Sequence, residues 1–128
     1  MERILGRFAP QFYALMRMAT GLVFACHGAQ KLFGVLGGRQ VPYLSQLGAA
    51  GVIEFVGGLM IATGFLTGVA AFVAAGEMVF AYFKMHAPRG LWPISNGGEL
   101  AVLYGFVFLY IASRGTGIWG IDKGGSRR

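Results

Sequence analysis

The stretch Gly48–His86, GAAGVIEFVGGLMIATGFLTGVAAFVAAGEMVFAYFKMH, decides the fold. It is apolar almost from end to end, and its charged side chains are Glu54, Glu77 and Lys84. Each half is close to the roughly 20 residues an α-helix needs to cross a bilayer core. The halves meet at Leu66-Thr67-Gly68, a turn so short that the two helices must be antiparallel neighbours. The reading is therefore of two spans, from about 48 to 66 and from about 68 to 86.

Working outward, a further apolar run from about 11 to 34 precedes this pair, and a shorter one from about 98 to 113 follows it. The fold expected is an all-α integral membrane four-helix bundle occupying residues 1–128 as one domain. Composition agrees. Hydrophobic residues make up 55% of the 128-residue chain and charged residues 12%, about half the charge of an ordinary soluble domain. Mean hydropathy is +0.61. The 22 glycines lie largely within apolar runs, where they allow helix backbones to approach closely. That placement also argues against a Gly-rich phosphate loop. The single cysteine, Cys26, rules out an intramolecular disulfide. Arg17 interrupts the first apolar run, so that run does not read as a secretory leader.

The net charge of +6 comes from basic residues scattered at the ends of apolar runs, a poor pattern for nucleic acid. It suits the positive-inside bias of membrane proteins. Arg3, Arg7, Arg114, Lys123, Arg127 and Arg128 fall on one side; Lys31, Arg39, Lys84 and Arg89 fall on the other. Both termini are thus expected in the cytoplasm. Ile4–Phe8 reads as a segment lying flat at that surface, and the tail as an interfacial turn around Trp119 with a flexible end. The Pro-, Gly- and Asn-containing loop Ala87–Gly97 reads as a folded lid on the opposite side.

The charges inside the spans carry the functional reading. Arg17, Lys31 and Lys84 match Glu54, Glu77 and Glu99 in number, and an unpaired charge at mid-bilayer costs at least about 2.5–3.5 kcal/mol. At about 1.5 Å per residue, Glu77 falls near mid-membrane and Arg17 somewhat closer to the cytoplasm, and the two are expected to form a structural ion pair. His27, Lys31, Glu54 and Glu99 fall near the outer surface. They are expected to form a polar cluster that binds a small molecule or relays protons. The plainer alternative is that these charges only lock the helices together. The residue pattern suggests neither a metal site nor haem ligation by His27 and His86.

These motifs, in this order, resemble the DoxX family of bacterial membrane proteins over nearly the whole chain. The resemblance rests on Arg17 followed by HGAQKLFG (His27–Gly34), EFVGGLMIATGFLTG (Glu54–Gly68) and Glu77-Met78. It continues through HAPRGLWPISNGGE (His86–Glu99) and SRGTGIWGID (Ser113–Asp122). One departure is Gly120 before Ile121-Asp122, where family members often carry Ser. The resemblance implies a four-helix membrane bundle in the bacterial cytoplasmic (inner) membrane. It also implies a redox setting, since relatives include a subunit of a thiosulfate:quinone oxidoreductase and membrane partners of oxidative-stress enzymes. On that basis the expected role is a membrane subunit that binds a quinone or similar apolar ring. Electrons would come from a separate membrane or peripheral redox protein, because the chain has no flavin, haem or iron–sulfur motif and no covalently bound cofactor is implied. The alternatives are a non-catalytic anchor or assembly factor, self-association included, and a small transporter or proton pathway.

Overall fold

Residues 1–123 are described by a computed structural model, and among them every regular element is helical. Arg127, Arg128 and the flexible end expected of the tail lie outside the described residues. Helix α1, Ala9–Phe33, buries Tyr13, Ala14, Arg17, Gly21, Phe24, Ala25, Gly28, Ala29 and Leu32. That three-and-four spacing puts all nine on one face. Pro10 sits in its first turn, where the missing N–H is harmless. Gly34 ends it in left-handed geometry at φ 66°. Helix α2, Gln46–Thr63, is capped by Ser45, whose Oγ accepts from Gly48 N at 3.1 Å. Helix α3, Thr67–Ala81, begins after a tight turn in which Gly64 and Leu66 both have positive φ, 76° and 46°. Helical geometry then continues through a wider π turn, Tyr82–His86, and a 3-10 turn, Ala87–Arg89. Helix α4 is Glu99–Arg114. The four apolar runs thus appear as four long helices, with ends shifted by a few residues and the third run changing pitch at Tyr82. Of these, α2 and the continuous stretch Thr67–Arg89 are long and apolar enough to cross a bilayer, each with mean hydropathy 1.4.

The helices pack most closely as two pairs, α1 with α2 and α3 with α4. Glycine makes the first pair possible. A methyl group on Gly21 would lie 2.5 Å from Ala62 N, and one on Gly58 would lie 2.5 Å from Ala25 N. The backbones touch, so no side chain fits between them. Alanine does the same for the second pair: Ala70, Ala71, Ala74 and Ala75 face the buried stripe Ala101, Tyr104, Phe108 and Ile111. Large rings separate the pairs. Phe24 from α1 meets Phe108 at 4.6 Å and Tyr104 at 5.3 Å between centroids, and Tyr104 stacks on Phe108 at 5.4 Å.

Large apolar side chains point outward. Phe72 is 68% exposed and Phe106 70%, while Ala71 and Ala74 are fully buried. Water would penalise that arrangement, whereas lipid is as apolar as the side chains facing it. With small residues inside, large apolar residues outside and charges buried, the packing is that of a membrane protein.

The N-terminal residues form a short helix, Glu2–Leu5, and a 3-10 turn, Gly6–Phe8, leading into α1. They share one end of the bundle, here the tail end, with the Gly64–Leu66 turn and residues 115–122. The loop 34–45 and the segment 82–98 form the other, the lid end. Ala87–Gly97 is a folded cap, as its composition suggests. Asn96, 2% exposed, donates from Nδ2 to Tyr82 Oη (3.1 Å) and to Gly90 O (3.0 Å). Its Oδ1 accepts from Gly98 N at 2.8 Å, and its carbonyl lies 3.3 Å from His86 Nδ1.

Candidate functional site

Arg17 and Glu77 do not pair. The Arg17 guanidinium is fully buried at the tail end. It donates from one terminal nitrogen to Ile61 O (2.7 Å) and Ala62 O (2.9 Å), and from the other to Ile118 O (3.2 Å) and Trp119 O (2.8 Å). The physical reason is donor supply. A helix C-terminus leaves four carbonyls without intrahelical partners and carries partial negative charge. The planar five-donor fork of arginine suits such a group better than one carboxylate does. Around this clamp the segment Gly115–Asp122 is tied down. Tyr13 Oη donates to Gly115 O at 2.6 Å, Thr116 Oγ1 to Thr67 Oγ1 at 2.9 Å, and Ile121 N to Thr63 O at 2.9 Å. Asp122 Oδ2 accepts from Leu66 N at 2.6 Å, at the start of α3, where a carboxylate is favoured.

At the lid end a cavity of about 820 Å³ lies between the helix pairs, with a lining mostly apolar and a few polar groups converging on it. Lys31 Nζ donates to Glu54 Oε2 at 2.5 Å; Glu54 is buried, and the Lys31 side chain is 26% exposed. Apart from the Met1–Glu2 contact at the N-terminus, this is the ion pair found among the described residues. Helical phase explains it. Gly28 and Gly51 bring α1 and α2 into contact, and Lys31 and Glu54 each sit three residues beyond one of them. His27 also lines the cavity, its ring 6.1 Å from that of Tyr104 and nearly perpendicular to it.

Three of the four residues in the expected outer cluster therefore come together: His27, Lys31 and Glu54. Glu99 does not join them. It is exposed in the first turn of α4, outside the cavity lining. The buried stripe of α4 runs Ala101, Tyr104, Phe108, Ile111, and a residue two before Ala101 points about 160° away from it. Glu77 takes its place. It lines the cavity beside Glu54, and its Oε2 is buried without a hydrogen-bond partner. Glu77 lies on the buried face marked by Ala70, Ala74 and Met78, so its phase is readable from the sequence, although depth alone assigns it to Arg17. Tyr104 also lines the cavity, and its buried hydroxyl has no partner. Lys84 is exposed, its ammonium 5.7 Å from the Phe80 ring centre, and it joins no ion pair among the described residues. Cys26 is a half-buried free thiol outside the cavity lining.

Chemically, the cavity lining carries the Lys31 and Lys84 ammoniums, the Arg89 guanidinium, the adjacent Glu54 and Glu77 carboxyls, the His27 and His86 imidazoles and the Tyr104 phenol within mostly apolar walls. Lys31 is bonded to Glu54, and Glu77 has no cation bonded to it among the described residues.

The DoxX family model matches residues 12–87, more than half of the chain. An uncharacterized protein of Haemophilus influenzae is 38% identical over 126 residues, covering 93% of this chain and 94% of its own length. An uncharacterized membrane protein of Mycobacterium tuberculosis is 29% identical, covering 98% and 88%. The inner membrane protein YqjF of Escherichia coli is 30% identical, covering 84% and 86%. No solved structure matches. The inside-out packing, the two apolar helices and these similarities agree: the chain belongs to the DoxX family of membrane proteins.

Proposed function

We propose that this protein binds a quinone or similar apolar ring in the lid-end cavity and serves a separate oxidoreductase as its membrane subunit. All four long helices cross the bacterial cytoplasmic membrane in this reading, with both termini in the cytoplasm. The carrying observation is the cavity itself: about 820 Å³, mostly apolar, with Lys31, Glu54, Glu77 and His27 on its lining. An apolar pocket with a few convergent polar groups is the usual form of a small-molecule site. Its carboxyls and imidazole are also suited to exchanging protons with a bound ring. The redox setting is drawn from the family resemblance; fold alone does not assign it.

The test is chemical. The protein is purified from bacterial membranes in lipid-retaining polymer particles, extracted with organic solvent and analysed for quinones by mass spectrometry. Wild type is expected to carry quinone in excess over bulk lipid, and Lys31→Met/Glu54→Gln to lose it while still eluting as a folded species. Equal quinone in wild type, double variant and empty-membrane particles refutes the reading. Topology is checked by cysteine labelling: Ser45→Cys should react from the periplasmic side and Ser113→Cys only after permeabilisation, both in a Cys26→Ala background.

A second reading, a membrane anchor or assembly factor, is favoured by an apolar groove of about 250 Å³ on the outer face of α3 and α4, lined by residues including Ala101 and Gly105. Such a groove suits a partner helix. Glu54→Gln and His27→Ala separate the readings. Loss of partner activity with the complex intact supports the binding site; full activity with both variants supports the anchor.

A further inference from the structure

The two sides of the cavity differ. Between α1 and α4 the rings of Phe24, Tyr104 and Phe108 fill the gap, and all three are buried. Between α2 and α3 the wall is open below the lid-end rim. There the lining residues Val73 and Phe80 are 47% and 56% exposed. With Glu77 they form one stripe of α3 at four- and three-residue spacing. Across from them α2 contributes Ala50 and Ile53, and Gly57 continues the same face toward the tail end. Gly57 is buried, yet a methyl group on it would meet nothing within 4 Å. The same methyl on Gly28 or Gly58 would strike backbone. Open space therefore runs on between α2 and α3 past the lining residues. One turn further along, Ile61 on α2 and Ala70 on α3 are buried, and the slot ends.

Val73 and Phe80 belong to the apolar stretch Thr67–Arg89, so in the membrane-spanning reading this mouth faces acyl chains. A solute from water must shed its hydration to reach it; a molecule dissolved in the bilayer arrives already desolvated. The lid-end rim is different. Gln46, Lys84 and Arg89 are exposed there, beneath a cap pinned by Asn96. The slot itself has walls of Ala50, Ile53, Gly57, Val73 and Phe80, none with a side chain that hydrogen-bonds. Such a channel matches a flexible hydrocarbon chain, while the polar groups that can orient a ring stand at its inner end. We infer that the cavity is entered from the bilayer through the slot between α2 and α3, and that its ligand carries a hydrocarbon chain that lies in this slot. The inference rests on the proposed cavity ligand and adds its route of entry and what it carries besides a ring.

The probe is decylubiquinone carrying a diazirine midway along its chain; its ring is fully substituted and cannot add to the Cys26 thiol. The protein in lipid nanodiscs is irradiated with and without excess plain decylubiquinone, and labelled residues are mapped by mass spectrometry. Label that the competitor removes is expected on residues 50–57 and 73–80. Gly57→Phe places a ring in the open space and should lower that label several-fold. Val52→Phe, roughly opposite Ala50 on α2, should leave it unchanged. Gly57→Phe should still bind the analogue in which a methyl replaces the decyl chain, measured by titration calorimetry, which shows that the variant folds; if it binds neither, the wild-type map decides. Competitor-sensitive label confined to residues 84–100 places the chain at the lid end and overturns the inference. Undiminished label in Gly57→Phe also overturns it, as does binding of the methyl analogue to wild type with no competitor-sensitive label. These outcomes leave the cavity reading standing, whereas absence of both label and methyl-analogue binding in wild type removes that reading as well.

Discussion

Removing the Lys31 ammonium tests the lid-end geometry directly, because the two partners are unequally buried. The Glu54 side chain is 6% exposed and that of Lys31 26%, with 2.5 Å between Nζ and Oε2. In Lys31→Met the carboxylate remains in place with no cation bonded to it. Breaking a buried pair from one side costs about 3–5 kcal/mol, and partial solvent access at Lys31 places the loss near 3 kcal/mol. In Glu54→Gln the lysine survives, and its long stem can carry the ammonium toward the lid-end surface. That loss should be about 1 kcal/mol. The double variant Lys31→Met/Glu54→Gln leaves no net charge behind and should fall within about 1 kcal/mol of wild type. The assay is unfolding in SDS-containing mixed micelles followed by far-ultraviolet circular dichroism, with all four proteins compared as a cycle. The expected pattern is asymmetric, with the second substitution rescuing the first. Equal losses for the two single variants, or simple additivity in the double, refute the argument that the buried carboxylate sets the penalty.

Three further outcomes follow from other parts of the molecule. Gly28→Ala puts a methyl group into the backbone of Phe55 and should cost about 1–3 kcal/mol in the same unfolding assay; Gly76→Ala, with nothing within 4 Å of the added carbon, should be neutral or stabilising. Arg17→Met removes four hydrogen bonds to backbone carbonyls and should release residues 115–122, read as faster proteolysis of the tail in nanodiscs; Arg17→Lys, without the fork, should protect only in part. Asn96→Ala removes the bonds to Tyr82, Gly90 and Gly98, and a cysteine at Leu91 in a Cys26→Ala background should then show altered spin-label mobility.

Periodicity and composition carry the helices, because the spacing of small and apolar residues directly encodes which face is inside. Gly21, Gly28, Gly51 and Gly58 lie within apolar runs, where glycine allows close helix approach, and the α1–α2 contact uses them. The pairing of charges is less legible. Depth along a helix follows from counting residues, which is why Lys31 and Glu54 fall together in both the sequence and the fold. Rotation about the axis decides the rest, and there Glu99 and Glu77 exchange places. Arg17 escapes such counting for a different reason. Matching cations to anions treats carboxylates as the available acceptors, yet at a helix end the free backbone carbonyls outnumber them. No local pattern announces that SRGTGIWGID folds back over the α2–α3 turn. Its Gly115 and Gly117, both at positive φ, and Thr116 make sense only beside Tyr13, Gly64 and Thr67.

The same packing rule accounts for both the rigid and the open parts of the bundle. Glycine and alanine bring each pair of helices close, leaving little room for anything else inside a pair. Between the pairs the spacers are Phe24, Tyr104 and Phe108, rings that cannot interdigitate as alanines do. At the tail end Tyr13, the Arg17 fork and Gly115–Asp122 complete the packing. Toward the lid end the corresponding positions carry His27, Lys31, Glu54 and Glu77, and the gap the rings impose becomes the cavity. A bundle evolved only for cohesion gains nothing from burying two adjacent carboxyls beside one lysine, since apolar residues of similar volume would hold the pairs together as well or better. The polar lining and the gap between the helix pairs fall at the same end of the bundle, and that coincidence supports the proposed binding site.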